Sequence, residues 1–197
     1  ITSNLDPKSL KTFYGSGALP LNYPNVLDTM RGKTGSGIWL HGTPSDTFSR
    51  PPKASDGCVV LANQDLDALA KNLQIGTTPV IISSSIEWLS LDDWQAERTA
   101  LSRSIDEWHR DWESLDTEKY LHHYSKRFQS GSQSLEQWSA QKRQVNSGKQ
   151  WIKVGTTNIS MFRNPGKEEM VVVTFDQDYR SSNLNNVMKK RQYWMKE

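Results

Sequence analysis

The spacing of apolar residues changes along this chain from a helical to a strand-like period, and this change is the feature that most restricts its possible folds. From Trp94 to Leu115, large apolar residues recur at spacings of three, four or seven positions, which is the stripe of an amphipathic helix. Later in the chain, residues 171–179 alternate so that every second side chain faces the same way, as in a β-strand with one buried face. Helical segments followed by strand segments favour an α+β unit with an antiparallel sheet.

The rest of the second half repeats these two patterns. Two further apolar stripes predict more helical structure, and two further strand-like runs lie on either side of the alternating one in sequence. The stripes cover residues 120–128 and 135–145, and the strands cover residues 151–162, 171–179 and 186–194. On the middle strand, the side chains expected to share one face are Val171, Val173, Phe175, Gln177 and Tyr179.

The first ninety residues have shorter apolar pieces between turns. Glycine, proline and serine cluster within residues 14–17, 23–25 and 32–37, which marks these segments as turns. Residues 37–41 predict a short strand that ends at His41, and this part of the chain reads as β-rich with few helices.

Two further elements are expected before residue 90. Asn63 is placed to cap a helix over residues 65–73, because an asparagine side chain accepts hydrogen bonds from the first backbone N–H groups of a helix. Asp65 and Asp67 would lie in its first turn, where negative charge is favourable. The apolar run over residues 79–82 follows a turn and predicts a buried strand.

Charge and composition argue against several classes of protein. The 197 residues carry a net charge of only +2 with no long run of one sign, which disfavours a nucleic-acid-binding protein. No run approaches the length of apolar sequence that spans a membrane, and the start at Ile1 shows no leader pattern. The one cysteine excludes an internal disulfide and a cysteine-rich metal site.

That cysteine, Cys58, lies 17 positions after His41 in a segment that reads ASDGCVV over residues 54–60. A cysteine becomes a nucleophile when a nearby base accepts its proton, and histidine commonly supplies that base. His41 is the best-placed candidate, since it ends a predicted strand and the Gly42 carbonyl after it can accept from the other ring nitrogen. The alternative is a structural histidine and a small buried cysteine.

These two segments, IWLHGT over residues 38–43 and ASDGCVV over residues 54–60, resemble the active-site signature of the L,D-transpeptidase (YkuD-like) catalytic domain. The resemblance implies a β-rich catalytic domain over residues 1–88 that processes peptidoglycan stem peptides through a cysteine thioester. It gives Cys58 the role of nucleophile, His41 that of base, and Gly42 that of the carbonyl that fixes the imidazole. Members of this family have additional strands before the equivalent of Ile1, so this domain is expected to be incomplete at its N-terminus.

Further site residues are expected around the cysteine. Gly57 permits unusual backbone angles, and the N–H groups of Gly57 and Cys58 are candidates for an oxyanion hole. Ser55 either bonds near the site or shapes the turn. Asp56 stands where many family members have a second histidine, and Val60 replaces a frequent polar residue, which indicates a divergent branch.

The implied substrate carries carboxylates on its D-amino acid and diaminopimelate residues. Arg50 and Arg31 are candidates to bind them, because a planar guanidinium matches a carboxylate, and an exposed loop position is the alternative for each. Tyr23 is a candidate cleft wall with a core position as its alternative, and Ser55 and Asp56 complete the predicted substrate-binding set. No cofactor is expected, and no metal site either, since His122 and His123 are adjacent on a helix and point in different directions.

The second half resembles an NTF2-like (SnoaL-like) domain over residues 95–197, in which helices pack into a strongly curved antiparallel sheet that encloses a conical pocket. The resemblance rests on Trp108 with Trp112, residues 120–128, Trp138 with Lys142, and residues 173–179. It implies an α+β fold, with a last strand expected beyond the end of the chain. The aromatic side chains either form core or line a pocket for a glycan or peptide part of the cell wall, and domains of this kind also dimerise.

The two resemblances support each other, because the same pairing of domains occurs in cell-shape-related L,D-carboxypeptidases. The expected function is attack by Cys58 on the bond between meso-diaminopimelate and D-Ala of a stem peptide, in the periplasm or cell envelope. Water as acceptor gives a carboxypeptidase, and the amine of a second stem gives a transpeptidase. The alternatives are a wall-binding or assembly module without turnover and an unrelated cysteine hydrolase.

Overall fold

A computed structural model describes residues 1–165 and 169–196 of the chain. It divides into two compact units, Ile1–Ile81 and Ile82–Glu197. The domain bounds predicted from the sequence, 1–88 and 95–197, differ from these, because they assign residues 82–88 to the first domain and residues 89–94 to neither. Each unit has its own apolar core.

The first unit is built around one small sheet. Its elements are β1 (Ala18–Pro20), α1 (Val26–Met30), β2 (Trp39–His41), β3 (Val59–Val60) and α2 (Asn63–Ala70). In the sheet, β2 is central, antiparallel to β1 and parallel to β3. Leu19 of β1 and Leu40 of β2 pack with Leu66 of α2 and with Ile1. This core fixes β2 against β1 and against the helix.

The prediction that Asn63 caps a helix over residues 65–73 is wrong. Helix α2 begins at Asn63 itself, its N-cap residue is Ala62, and it ends at Ala70. The Asn63 side chain is engaged elsewhere: its Oδ1 accepts from the backbone N–H groups of Ser16 at 3.0 Å and Thr43 at 3.1 Å. Two long-range bonds outcompete one local cap, because both amides would otherwise lack a partner.

The buried strand predicted over residues 79–82 is also wrong. Within the described residues this run joins no sheet, and Ile81 and Ile82 are 47% and 62% exposed. The turn predicted before it is present, and in it the N–H of Thr78 donates to the carbonyl of Gln74. An apolar run becomes a strand only where a neighbouring strand supplies hydrogen-bond partners.

The second unit places helices before a long antiparallel sheet. Its helices are α3 (Leu91–Glu113), α4 (Thr117–His122) and α5 (Leu135–Ser147), with a small hairpin of β4 (Gln129–Ser130) and β5 (Gln133–Ser134) before α5. The sheet consists of β6 (Ile152–Asn164), β7 (Met170–Ser181) and β8 (Leu184–Met195). Over residues 1–165 and 169–196, none of the helices combines the length and apolarity that crossing a membrane requires.

Helix α3 is the amphipathic helix that the apolar stripe predicts. Ser90 caps its start by accepting from the N–H of Asp93, and Asp92 and Asp93 place negative charge in the first turn, which the helix dipole favours. The face toward the core carries Ile105, Trp108 and Trp112, each at most 4% exposed. The second stripe is helical only as far as His122, where α4 ends, so Tyr124 and Phe128 lie in the turns that follow.

Strand β7 is the centre of the second unit. It pairs antiparallel with β6 on one side and with β8 on the other. The predicted alternation is present from Val173 to Tyr179, since Val173, Phe175, Gln177 and Tyr179 are all at most 7% exposed. It does not extend to Val171, which is half-buried, while Val172 is buried. A register shift between Thr157 and Ser160 in β6 marks a bulge, which bends a strand locally. The expected α+β class with a curved antiparallel sheet is confirmed.

Candidate functional site

The pairing of β2 with β3 brings the segments of the predicted base and nucleophile together. The two strands run parallel, with Leu40 beside Val59 and His41 beside Val60. Cys58 directly precedes β3. If this register is continued by one residue beyond Leu40 and Val59, Cys58 lies beside Trp39, on the same side of the sheet as His41.

His41 is held by one short hydrogen bond. Its Nδ1 lies 2.7 Å from the carbonyl oxygen of Gly42. A carbonyl only accepts, so Nδ1 carries the proton when the ring is neutral, and Nε2 is left as the basic nitrogen. The residue itself is 1% exposed, and its ring packs edge-on against Tyr14, with the centroids 5.1 Å apart.

The surroundings of His41 favour its neutral form. Burial lowers the pKa of His41 below its ordinary value of 6.5, the hydrogen bond to Gly42 opposes this, and the positive charge of Arg50 lowers the pKa further. The imidazole is therefore mostly unprotonated at neutral pH, which is the state that a general base requires.

The thiol of Cys58 is half-buried and points to a different partner in this structure. Its Sγ donates to the carbonyl oxygen of Gly37 at 3.5 Å. Within the described residues, no hydrogen bond joins Sγ to the His41 ring. Catalytic hydrogen bonds are often loose before substrate binds, so this arrangement is compatible with a base that engages the thiol later.

The turn before Cys58 is fixed from two sides. The Ser55 hydroxyl donates to the carbonyl of Cys58 at 2.6 Å, so Ser55 shapes the turn. Gly57 has φ 113°, and a Cβ there would lie 2.7 Å from Cδ1 of Ile38. Only glycine fits without displacing that side chain. Asp56 lies exposed between them, and the oxyanion-hole role of Gly57 and Cys58 stays a prediction.

The predicted substrate-binding residues lie in two places. Arg50 is close to His41 through Phe13: its guanidinium lies 4.1 Å above the Phe13 ring, whose centroid is 5.8 Å from that of the imidazole. Tyr23 and Arg31 belong instead to the segment around α1. There the Tyr23 hydroxyl donates to the carbonyl of Thr34 at 3.2 Å, and Arg31 is an exposed residue at the end of α1.

Sequence reasoning missed two residues that hold the loop after His41. Asn63 was expected only as a helix cap, yet its Nδ2 donates to the Thr43 carbonyl at 2.9 Å while its Oδ1 accepts from the Thr43 N–H. Thr43 is fully buried, and its hydroxyl donates to the carbonyl of Thr47 at 2.5 Å. No local sequence pattern reveals this link, because Thr43 and Asn63 are 20 positions apart in the chain.

The second unit contains a separate cluster of aromatic and lysine side chains. We call it the aromatic–lysine cluster, and it consists of Trp112, Trp138, Lys142, Gln177, Tyr179 and Lys190. The Lys142 ammonium lies 4.2 Å from the Trp138 ring centroid, and the Lys190 ammonium lies 5.2 Å from that of Trp112. Trp112 also stacks on Tyr179, with the centroids 5.2 Å apart.

Two features of this cluster point to an anionic or polar ligand. Burial lowers the pKa of Lys142 to about 8, and the positive charges of Lys190 and Lys149 contribute to the shift. Gln177 is 1% exposed, and within the described residues its Oε1 has no hydrogen-bond partner. Buried polar atoms are ordinarily paired, so this unpaired oxygen is a candidate ligand contact.

Two protein families match the chain, one in each unit. The L,D-transpeptidase catalytic domain family matches residues 2–82, and the family of the Cds6 C-terminal NTF2-like domain matches residues 100–197. Comparison with curated proteins gives no match.

Solved structures match over the whole chain. Bd1075 of Bdellovibrio bacteriovorus is 30% identical with a TM-score of 0.83, and the alignment covers 100% of this chain and 72% of that one. The helical cell shape determining protein Pgp2 of Campylobacter jejuni is 28% identical with a TM-score of 0.72, covering 98% of this chain and 67% of that one. Its K307A mutant is 27% identical with a TM-score of 0.73, covering 98% and 66%. The match to Bd1075 covers both units together.

The geometry of the site predicts that position 42 strictly requires glycine. A Cβ there would lie 2.1 Å from Oδ1 of Asn63 and 3.1 Å from the backbone nitrogen of Ser16. Gly42→Ala is therefore expected to lower the free energy of unfolding by about 1–3 kcal/mol, as overpacking does. Urea unfolding of the full chain measures it. Gly17→Ala is the control, because its Cβ would meet only Leu66 at 3.8 Å, and equal losses in both variants would contradict the prediction.

Proposed function

Because the chain belongs to the family of peptidoglycan-related L,D-transpeptidases and L,D-carboxypeptidases in which an NTF2-like domain follows the catalytic domain, we propose that it processes peptidoglycan stem peptides with Cys58 as nucleophile. The observation that carries the proposal is the hydrogen bond between Nδ1 of His41 and the carbonyl of Gly42. This bond leaves Nε2 as the basic nitrogen. His41 ends β2, which pairs directly with β3, the strand that follows Cys58.

The first half of the reaction is acylation of the thiol. The Sγ proton of Cys58 passes to Nε2 of His41, and Sγ attacks the carbonyl carbon between meso-diaminopimelate and D-Ala of a tetrapeptide stem. The N–H groups of Gly57 and Cys58 face the oxyanion of the tetrahedral intermediate. When the intermediate collapses, the C–N bond breaks, the imidazolium returns its proton to the leaving amine, and D-Ala departs from a thioester.

The second half is transfer of the acyl group. An acceptor loses a proton to Nε2 of His41 as it attacks the thioester, and Sγ leaves as a thiolate that takes that proton back. Water as acceptor releases a tripeptide stem, which is carboxypeptidase activity. The amine of a second stem forms a 3→3 cross-link, which is transpeptidase activity. Both outcomes use the same His41 and Cys58.

Arg50 supports an anionic substrate at this site. Its guanidinium lies over Phe13, whose ring is next to that of His41, so a positive charge lies near the reacting groups. The terminal carboxylate of a D-amino acid matches that charge. The same charge lowers the pKa of His41, so a bound carboxylate that neutralises Arg50 would strengthen the base at the moment it is needed.

The proposed place of action is the cell envelope, in the periplasm, because that is where stem peptides of the wall are found. Pgp2, which matches 98% of this chain, is described as a determinant of helical cell shape. We extend that role to this protein: removal or transfer of stem-peptide ends would change local cross-linking and thereby the shape of the wall.

A second function, wall binding without turnover, is favoured by the aromatic–lysine cluster of the second unit. Aromatic faces suit the apolar side of a sugar ring, and the two lysines suit the carboxylates of a stem peptide. The buried Oε1 of Gln177 supplies an acceptor for a hydroxyl or amide of such a ligand. This candidate uses the second unit, whereas the catalytic function uses the first.

The enzymatic proposal predicts a defined change in purified tetrapeptide muropeptides. Intact protein should remove D-Ala or produce a 3→3 dimer, because both outcomes start from the same thioester. The measurement is mass spectrometry of the products, with Cys58→Ala as the matched protein. Turnover that survives in Cys58→Ala would overturn the role of the thiol, and no turnover by either protein would favour the binding function.

The binding function predicts a pH dependence set by Lys142. Since the pKa of Lys142 is about 8, its charge is present below that pH and is lost as the pH rises through it. Affinity of the Cys58→Ala protein for tetrapeptide muropeptides should fall by about tenfold between pH 7 and 9, the scale of one charged hydrogen bond. Isothermal titration calorimetry measures it. In Lys142→Met the dependence should weaken, whereas Lys153→Met, which changes an exposed lysine of the same unit, should keep it in full. An unchanged pH dependence in Lys142→Met would contradict this role.

A further inference from the structure

One peptide group joins the predicted base to a residue of α2. The carbonyl of Gly42 lies 2.7 Å from Nδ1 of His41, and the N–H of Thr43, in the same peptide group, donates to Oδ1 of Asn63 at 3.1 Å. A peptide group is planar and, when trans, directs its C=O and N–H to opposite sides. The group that holds the N–H therefore also sets the direction of the carbonyl.

We infer that Asn63 is a positioning residue for His41: it holds the Gly42–Thr43 peptide group in the orientation that keeps the proton on Nδ1 and leaves Nε2 free to act as the base. The inference deepens the proposed function and rests on it for the role of Nε2. Asn63 does not touch the reacting atoms and acts only through this peptide group.

The Asn63 side chain is itself fixed in place. Its Nδ2 donates to the Thr43 carbonyl at 2.9 Å, and its Oδ1 also accepts from the N–H of Ser16 at 3.0 Å. The amide therefore bonds on both sides of Thr43 and to the segment before β1. A side chain with these three bonds has one rotamer available, so it can define the orientation of a neighbouring peptide group.

Glycine at two positions makes room for this amide. A Cβ at Gly15 would lie 2.2 Å from Oδ1 of Asn63, and one at Gly42 would lie 2.1 Å from the same atom. Both distances are far below van der Waals contact. The close approach of the Asn63 amide explains why the residue after His41 is glycine, because any residue could supply the carbonyl but only glycine leaves room for the amide.

The position of Asn63 also links the two halves of the predicted catalytic pair. Asn63 begins α2, which follows β3, and β3 follows Cys58. The same short segment therefore carries the predicted nucleophile at one end and, at the other, the side chain that orients the partner of the base. A hydrogen bond donated by the Thr43 N–H also polarises the Gly42 carbonyl and makes it a better acceptor for Nδ1.

The alternative is that Asn63 only anchors the loop. Both roles predict lost stability when Asn63 is changed, so stability alone does not separate them. The tautomer of His41 does, because it depends on which nitrogen has an acceptor. A neutral imidazole in water prefers the proton on Nε2, so loss of an oriented Gly42 carbonyl should move the proton there.

The experiment is long-range proton–nitrogen NMR of the His41 ring in the full chain, labelled at histidine nitrogen and recorded near pH 8, where the ring is neutral. Wild type should show the proton on Nδ1. Asn63→Leu keeps the shape of the side chain without its polar atoms, and the ratio of the Nδ1–H to the Nε2–H form should fall about tenfold, the scale of one hydrogen bond.

Two further variants keep the result readable. If Asn63→Leu does not fold, Asn63→Ser replaces it, because its hydroxyl is too short to meet both N–H groups while water can fill the space. Asn72→Leu is the matched control, since Asn72 is an exposed asparagine of the same unit whose side-chain amide donates to the carbonyl of Ala68 at 3.1 Å. It should leave the His41 tautomer unchanged.

A folded Asn63→Leu or Asn63→Ser protein with the wild-type tautomer would overturn the inference. The readout uses neither substrate nor thiol. The two tests are therefore separable. If the tautomer changes as predicted but the protein does not process muropeptides, the proposed function is refuted while the role of Asn63 in positioning the ring stands.

Discussion

The hydrogen bond from Nδ1 of His41 to the Gly42 carbonyl is the interaction on which the proposed chemistry depends. It decides which nitrogen is basic, and it holds a nearly fully buried ring beside the strand that follows Cys58. The rest of the first unit can be understood as support for it. The small sheet fixes the two segments, and the glycine after His41 admits the Asn63 amide that orients the carbonyl.

The elements that could be predicted from sequence are those whose pattern is long or whose chemistry is local. Helix α3 and strand β7 repeat their apolar period over many residues, so each buried side chain supports the same assignment. The pairing of His41 with the Gly42 carbonyl was also foreseeable, because the two are neighbours in the chain. Gly57 was foreseeable for the same reason, because the turn directly before Cys58 requires a backbone conformation that favours glycine.

What could not be predicted depends on contacts between distant parts of the chain. Asparagine is a common helix N-cap residue, yet the side-chain oxygen of Asn63 accepts from the backbone N–H groups of Ser16 and Thr43 and not from those of the helix. The apolar run over 79–82 lacks a partner strand, which no local pattern reveals. Arg50 lies over Phe13, 37 positions earlier in the chain, so its closeness to His41 is a property of the fold.

The most direct test of the central claim is the pH dependence of Cys58 alkylation by iodoacetamide, a neutral reagent, in wild type and His41→Gln. An imidazole that takes the thiol proton should keep Cys58 reactive well below the pKa of about 8.5 of a free thiol, and His41→Gln should move the profile up to that value. His122→Gln, the same change in the second unit, should leave the profile unchanged. Identical profiles in wild type and His41→Gln would contradict a His41-activated thiol.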